Sequence, residues 1–137
     1  MQTGLTTMMK DNEVNMELIR QEVEAAFNAY EAALVANDTE MLDKMFWKSA
    51  LTVRYGVSEN LYGIEEIRAF RKSRSAAGLD RLLSNTRVTT FGRDFAVTNT
   101  EFLREGQPVG RQSQTWARFQ DGWRVISAHV SYMSRPS

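Results

Sequence analysis

The first periodic stretch of the chain carries apolar residues at every third or fourth position. Between Met16 and Leu34 they fall on one side of a helix, while charged and amide side chains take the other faces. These apolar residues are Met16, Ile19, Val23, Phe27, Tyr30 and Leu34. The segment Asn37-Asp38-Thr39 then supplies stop and capping residues. The pattern therefore predicts a long amphipathic helix followed by a short one over residues 41–46.

Beyond the second helix the composition becomes typical of strands, with one helical interruption. Residues 51–57 are predicted as a strand, and Ile64 and Ile67 mark a third helix that starts after Gly63 and ends near Gly78. Four further strands are predicted at residues 82–91, 95–104, 111–119 and 123–133. Short connectors containing glycine separate them, which is typical of hairpins.

Helices first and a run of hairpins last predict an α+β fold rather than a parallel sheet. An open four-stranded sheet must cover one face, and the long first helix has an apolar stripe wide enough to do so. A helix lying across a bent sheet leaves a cavity at its wider end, where a functional site is expected. Residues 1–14 are polar and aperiodic, so we expect a flexible arm followed by a single domain at 15–137.

Composition excludes several classes of function. The 137 residues include 17 basic and 17 acidic side chains, so no overall field would attract nucleic acid or an anionic membrane. The absence of cysteine and the presence of one histidine exclude thiolate chemistry and a metal site with several imidazoles. We therefore expect no metal and no cofactor. No apolar run resembles a signal peptide or a membrane span, which predicts a cytoplasmic location.

Tyr30 and Arg54 are the first candidates for chemistry. Tyr30 lies on the apolar stripe, so its hydroxyl is carried toward the sheet, either as a core tyrosine bonded to backbone or water or as a pocket acid. Arg54 alternates with Val53 and Tyr55, which places it on either the buried or the exposed face. If it is buried, its guanidinium stays charged and needs a carboxylate from the protein or from a ligand.

Other polar residues could share the same pocket. The third helix brings Arg68, Arg71 and Arg74, with Arg71 bordering its buried stripe, and Arg111 opens a strand after a glycine. One or two of these arginines could join Arg54 in a cationic pocket, although solvated surface positions are the alternative. Gln114 lies on the same strand as Arg111, which places polar atoms on both faces.

The last strand carries the single histidine. Strict alternation places His129 and Ser131 on one face together with Val125, and this mixed face suits a pocket wall. His129 is then either a structural residue held by hydrogen bonds or a second proton carrier.

Seven short motifs together carry a resemblance to a known family. They are Phe27–Leu34, Asn37-Asp38, Thr52–Gly56, Glu59–Gly63, Ile67–Arg71, Gly110–Trp116 and Trp123–Met133. Over residues 14–134 the chain resembles the AtzH-like family, which includes the oxalurate catabolism protein HpxZ. The resemblance implies a cone-shaped, curved antiparallel sheet with N-terminal helices, the nuclear-transport-factor-two-like or SnoaL-like fold, which is also described as cystatin-like.

The resemblance also implies a role in the catabolism of small ureido acids. AtzH-like members are similar to decarboxylating amidohydrolases that convert 1,3-dicarboxyurea to allophanate without a metal, using a tyrosine and an arginine, and Tyr30 and Arg54 occupy those motif positions. HpxZ-type members accompany an oxalurate amidohydrolase system, which implies the alternative of a non-catalytic binding or accessory subunit. The residues expected to bind the substrate are Arg54, Arg71, Arg111, Gln114 and Ser131.

The expected partners follow from the same reasoning. A small dianionic ureido acid is the expected ligand, and an amidohydrolase is the protein partner under the accessory alternative. An open sheet with outward apolar positions such as Val97, Trp116 and Val130 predicts a symmetric homodimer through sheet faces.

Overall fold

Three helices and six strands dominate the described part of the chain, residues 8–135, in this computed structural model. The helices are α1 (Glu17–Val35), α2 (Thr39–Met45) and α3 (Ile64–Ser73). The strands are β1 (Val53–Tyr55), β2 (Asn60–Tyr62), β3 (Leu82–Phe91), β4 (Phe95–Leu103), β5 (Gly110–Phe119) and β6 (Gly122–Tyr132). Helices packed on one largely antiparallel sheet make an α+β fold, so the predicted class is confirmed.

Local sequence explains where the first two helices begin and end. The stripe of α1 is buried from Ile19 to Leu34, as its periodicity predicts. The helix stops before Asn37, which adopts a left-handed φ of 53° that asparagine tolerates better than most residues. The Asp38 carboxylate then caps α2 by accepting a hydrogen bond from the backbone N–H of Met41 at 3.1 Å. The predicted break between the two helices is therefore confirmed.

The sheet is larger than the four strands expected from the hairpin pattern. Its order is β2-β1-β6-β5-β4-β3, and β1 runs parallel to β6 while the other pairs are antiparallel. The strand β2 was missed because three residues are too few to show a period, and β1 is equally short. This extension matters because it brings Arg54 beside Ala128 of β6.

A bulge in β6 changes which side chains face the core. Ser127 pairs with Thr115 and Val125 pairs with the next residue, Trp116, so Ile126 has no partner. The extra residue lets Val125 and Ala128 both face the core, where both are buried. Every residue after the bulge therefore lies on the face opposite to the one that strict alternation from Val125 predicts.

Two of the three residues offered for the homodimer are not on the outer face. Trp116 is fully buried, and its indole N–H donates to the Thr98 hydroxyl at 2.9 Å. Val130 lines a cavity on the inner face. Only Val97 lies on the outer face, where it is partly exposed, so the argument for the other two positions was wrong and the homodimer itself stays a prediction.

The expected N-terminal arm falls partly outside the described residues, which start at Met8. Its second half contacts the end of β3. Val14 forms a bridge with Phe91, and Asn15 exchanges hydrogen bonds with the backbone of Thr90, donating from its N–H at 3.0 Å and accepting at Oδ1 at 2.9 Å. Within residues 8–135, no helix combines the length and apolar character needed to cross a membrane.

Gly110 leaves room for a buried aromatic ring. Phe102 of β4 is fully buried beside Gly110 of β5, and a Cβ at this glycine would lie 2.2 Å from the ring. The same ring supports two guanidinium groups, with Arg81 4.6 Å and Arg104 5.2 Å from its centroid. The position of these arginines therefore depends on the absence of a side chain at Gly110.

We expect Gly110→Ala to lower the free energy of unfolding by about 1–3 kcal/mol, because the added methyl group must displace a packed ring. Urea denaturation of the purified protein measures this change. Combining it with Phe102→Leu should recover part of the loss, since the smaller side chain yields space, and the double-mutant cycle isolates that coupling. An unchanged midpoint for Gly110→Ala would show that the ring is free to move aside.

Candidate functional site

A cavity of about 190 Å³ lies between α1, α3 and the inner face of the sheet. It is smaller than the ~300 Å³ at which pockets for drug-sized ligands begin, so it suits a small molecule. Its lining residues are Tyr30, Leu34, Arg54, Val57, Glu59, Phe70, Arg74, Leu79, Arg81, Arg104, Gln112 and Val130. Four of them are arginines and one is a carboxylate, which makes this cavity cationic in a protein of zero net charge.

Two of the four arginines are neutralised by carboxylates. Arg81 forms a bidentate pair with Glu31, with Nε donating to Oε2 at 2.8 Å and Nη2 to Oε1 at 2.6 Å. Arg54 donates from Nη1 to Oε2 of Glu59 at 2.9 Å. Both guanidiniums are largely shielded from solvent, so these pairs satisfy the need of a buried cation for a counter-charge.

The other two arginines, Arg74 and Arg104, form no ion pair within residues 8–135. Arg104 donates only long hydrogen bonds, to the hydroxyl of Tyr132 at 3.5 Å and to the carbonyl of Leu79 at 3.4 Å. Nε and Nη2 of Arg74 and Nε of Arg104 are buried without a partner among the described residues. The cavity therefore holds two uncompensated positive charges.

The electrostatic cost of these charges falls on the pKa of Arg74. Burial lowers its pKa from the ordinary arginine value, and the positive charges of Arg54 and Arg71 lower it further. The Tyr30 hydroxyl acts in the opposite direction and raises it. An anion in the cavity would favour the charged form of Arg74 that this environment disfavours.

Tyr30 reaches the cavity from α1. Its ring is buried, with centroids 6.0 Å from Phe46 and 6.3 Å from Trp116, which fixes its position in the core. Tyr30 lines the cavity, and its hydroxyl is not among the buried polar atoms that lack a partner in residues 8–135. Tyr30 and Arg54, the pair expected from the sequence, thus line one cavity.

Arg71 and Gln114 are buried but do not line this cavity. Arg71 donates to Asp43 of α2 at 2.5 Å and lies 4.9 Å from the ring centroid of Phe46, so it joins α3 to α2. The side chain of Gln114 accepts from the Thr98 hydroxyl at 3.2 Å, deeper in the core. The expectation that either one lines the cavity is contradicted, because core partners hold them.

His129, Ser131 and Arg111 lie on the outer face of the sheet, opposite Tyr30. The expectation that His129 and Ser131 face the pocket is wrong because the bulge at Ile126 reverses the alternation of β6. Arg111 is exposed because its neighbour Gln112 takes the inner face.

The outer face instead carries a small aromatic group. The ring of Tyr55 lies 5.7 Å from His129 and 5.9 Å from Tyr62, measured between centroids. The hydrogen bond between the two tyrosine hydroxyls, 3.3 Å long, raises the pKa of Tyr62. None of these three residues lines the cationic cavity.

The cavity residues that the sequence did not single out come from loops and strand ends. Arg81 and Arg104 sit outside helical or strand periods, so no pattern predicts their direction. Arg74 was among the arginines expected on the third helix, but α3 ends at Ser73 rather than near Gly78 and leaves Arg74 just beyond it. The sequence places the polar residue Gln112 on a strand, but it does not show which face of the sheet the side chain occupies. Its Oε1 accepts from Nη2 of Arg81 at 3.1 Å, and its Nε2 is buried without a partner in residues 8–135.

A larger groove of about 440 Å³ lies elsewhere, beside Trp47 and Phe119, whose rings stack at 5.6 Å. Its Arg124 is occupied by Asp121 at 3.2 Å. It lacks the buried, unpartnered donors of the smaller cavity. Among residues 8–135 no group of three or more His, Cys, Asp or Glu side chains is placed to hold a metal ion.

Solved structures similar to this chain support the fold. A protein of unknown function from Pectobacterium atrosepticum is 55% identical, with a TM-score of 0.91, over 93% of this chain and 100% of that one. A cystatin-like fold protein from Burkholderia xenovorans is 48% identical, with a TM-score of 0.86, over 90% and 98%.

A more distant nuclear-transport-factor-two-like protein from Salmonella enterica is 22% identical, with a TM-score of 0.71, over 88% of this chain and 94% of that one. It supports the fold alone, and the nuclear-transport-factor-two-like, cystatin-like fold implied by the resemblance is confirmed. No curated protein matches the sequence.

The family assignment comes from the sequence as a whole. The profile of the family described as AtzH-like matches residues 12–136, which include the cavity and all of the strands. The resemblance carried by the seven motifs is thereby confirmed. The chain belongs to the AtzH-like family.

Proposed function

We propose that this protein is a hydrolase that needs neither metal nor cofactor and removes a carboxylate from an N-carboxylated urea, with 1,3-dicarboxyurea as substrate and allophanate as product. The observation that supports this proposal most directly is that Tyr30 and Arg54 line a small cavity in which two further arginines have no counter-charge. The substrate has a carbamate at each end and is therefore a dianion, which complements this excess of positive charge.

The proposed reaction needs one proton at a defined position. A carbamate releases carbon dioxide when its nitrogen is protonated, because the electron pair of the breaking C–N bond then stays on a neutral amine. The Tyr30 hydroxyl donates this proton, and water from the open side of the cavity restores it. The hydroxide left by that water combines with the carbon dioxide, so the net reaction converts the dianion and one water into monoanionic allophanate and bicarbonate.

Arg54 holds the departing carboxylate in this scheme. Its hydrogen bond to Glu59 occupies Nη1, and the described residues accept no hydrogen bond from its Nε or Nη2. Those two donors point along one edge of a guanidinium, the geometry that binds a carboxylate in a bidentate manner. The Phe70 ring, 5.5 Å from the guanidinium carbon, supports the arginine.

Glu59 approaches Arg54 across the backbone of Gly56. A Cβ at Gly56 would lie 1.6 Å from Oε2 of Glu59, so the ion pair requires glycine at this position. Ser58 holds the other carboxylate oxygen through its hydroxyl at 3.1 Å. The turn between β1 and β2 therefore orients the arginine.

Tyr30→Phe tests the proposed acid. The substitution keeps the ring and its packing, so we expect normal folding and ligand binding with turnover reduced by about 100-fold or more. Release of allophanate from 1,3-dicarboxyurea, followed by liquid chromatography, measures the rate, and the thermal midpoint serves as the folding control.

Near-normal turnover with an unchanged midpoint would leave Tyr30 as a core residue and contradict its role as the acid. Purified wild-type protein that binds the substrate without consuming it would instead favour the accessory subunit of an amidohydrolase system.

Gly56→Ala tests the orientation of Arg54. Because the clash falls on the mobile end of a glutamate side chain, we expect the protein to fold while Glu59 leaves Arg54 and turnover falls by roughly 10-fold, the effect of ~1.4 kcal/mol. Glu59→Gln should cause a similar loss, and the double variant should lose little more than either one, as residues acting through one contact do. Independent, additive losses would disprove the shared role.

A further inference from the structure

We propose that Arg74 and Arg104 form a subsite for the second carboxylate of the ligand, so that the cavity selects short dicarboxylates over the corresponding monoanions. This inference deepens the proposed function and rests on the same cavity. Under this proposal, two residues outside the Tyr30–Arg54 pair recognise the end of the ligand that does not react.

The first argument is the distribution of counter-charges. Arg54 and Arg81 have Glu59 and Glu31, and these pairs are short enough to neutralise them. Arg74 and Arg104 have no carboxylate among residues 8–135. A buried guanidinium without a counter-charge is unfavourable, and an anionic ligand is what would relieve it.

The second argument is the location of unsatisfied donors. Five buried side-chain nitrogens in residues 8–135 lack a hydrogen-bond partner, and four of them belong to residues that line this cavity. They are Nε and Nη2 of Arg74, Nε of Arg104 and Nε2 of Gln112. Unsatisfied buried donors are rare in folded proteins, so their concentration at one small cavity indicates a ligand with several acceptor oxygens.

The third argument is that neighbouring residues hold Arg104 and Gln112 in place. The guanidinium carbon of Arg104 lies 5.2 Å from the centroid of Phe102, a fully buried ring. Gln112 is fixed through its hydrogen bond from Arg81, which leaves its amide N–H₂ as a donor. Donors held before the ligand arrives lose little conformational entropy on binding.

Selection by charge has a consequence for the reaction cycle. Decarboxylation turns a dianion into a monoanion, so the product can satisfy one carboxylate site but not both. Binding energy that depends on both sites is therefore lost at the chemical step, which favours release of allophanate over retention.

The test uses stable analogues and isothermal titration calorimetry. Glutarate has the same number of main-chain atoms as dicarboxyurea, with methylenes in place of the two N–H groups and the central carbonyl. Glutaramate replaces one carboxylate of glutarate by an amide. We expect the wild-type protein to bind glutarate at least ~10-fold more tightly than glutaramate. Arg74→Gln and Arg104→Gln should each remove most of this preference. The exposed Arg93→Gln is the matched control and should retain it.

A second measurement distinguishes a binding role from a structural one. Because Arg74→Gln removes a partly buried cation that has no ion pair among residues 8–135, the thermal midpoint without ligand should rise while glutarate binding weakens. The proposal is overturned if wild-type protein binds glutarate no better than glutaramate or not at all, or if both variants keep the wild-type ratio. A lowered midpoint in both variants together with lost binding would also overturn it, since that indicates a structural role.

Turnover separates this inference from the proposed function. Wild-type protein that prefers glutarate through Arg74 and Arg104 but leaves 1,3-dicarboxyurea unchanged would support the subsite and contradict the enzyme. Normal turnover of 1,3-dicarboxyurea by both variants at limiting substrate would contradict the subsite and leave the enzyme standing.

Discussion

The bidentate pair between Arg81 and Glu31 is the contact on which the cavity depends. It joins residues 50 positions apart and fixes α1 to the segment that leads into β3. The arginine is almost completely buried, so either partner left alone would be an uncompensated charge in the core. The same guanidinium also orients Gln112, which makes one ion pair responsible for both the attachment of the helix and a wall of the cavity.

Around this pair, the positive charges of the cavity are only partly compensated by carboxylates of the described residues. Nearby acids compensate Arg54 and Arg81, and the apolar walls from Leu34, Phe70 and Val130 exclude part of the solvent. Arg74 and Arg104 have no such partner among residues 8–135, which is the basis for proposing an anionic ligand. Uncompensated charge of this kind lowers stability, and functional sites commonly give up stability in this way.

Much of the fold was predictable because it follows periodic patterns. The stripe of α1 turned Tyr30 inward, and the glycine-containing turns located the hairpins. The remainder depends on contacts that no period encodes. Strand β2 is too short to show alternation, and Arg74, Arg81 and Arg104 take their directions from tertiary contacts. The resemblance to the family identified Arg54, whose face the alternation of a three-residue strand leaves open.

The bulge at Ile126 determines which face of the sheet each later residue of β6 occupies. One residue more or less at that point exchanges the inner and outer faces of everything downstream, while the upstream half of the strand keeps its assignment. An alignment with a homologue that lacks the extra residue must therefore place its gap at the bulge if inner-face and outer-face positions are to correspond. A gap displaced by a few positions would assign a solvent-facing histidine to a cavity wall.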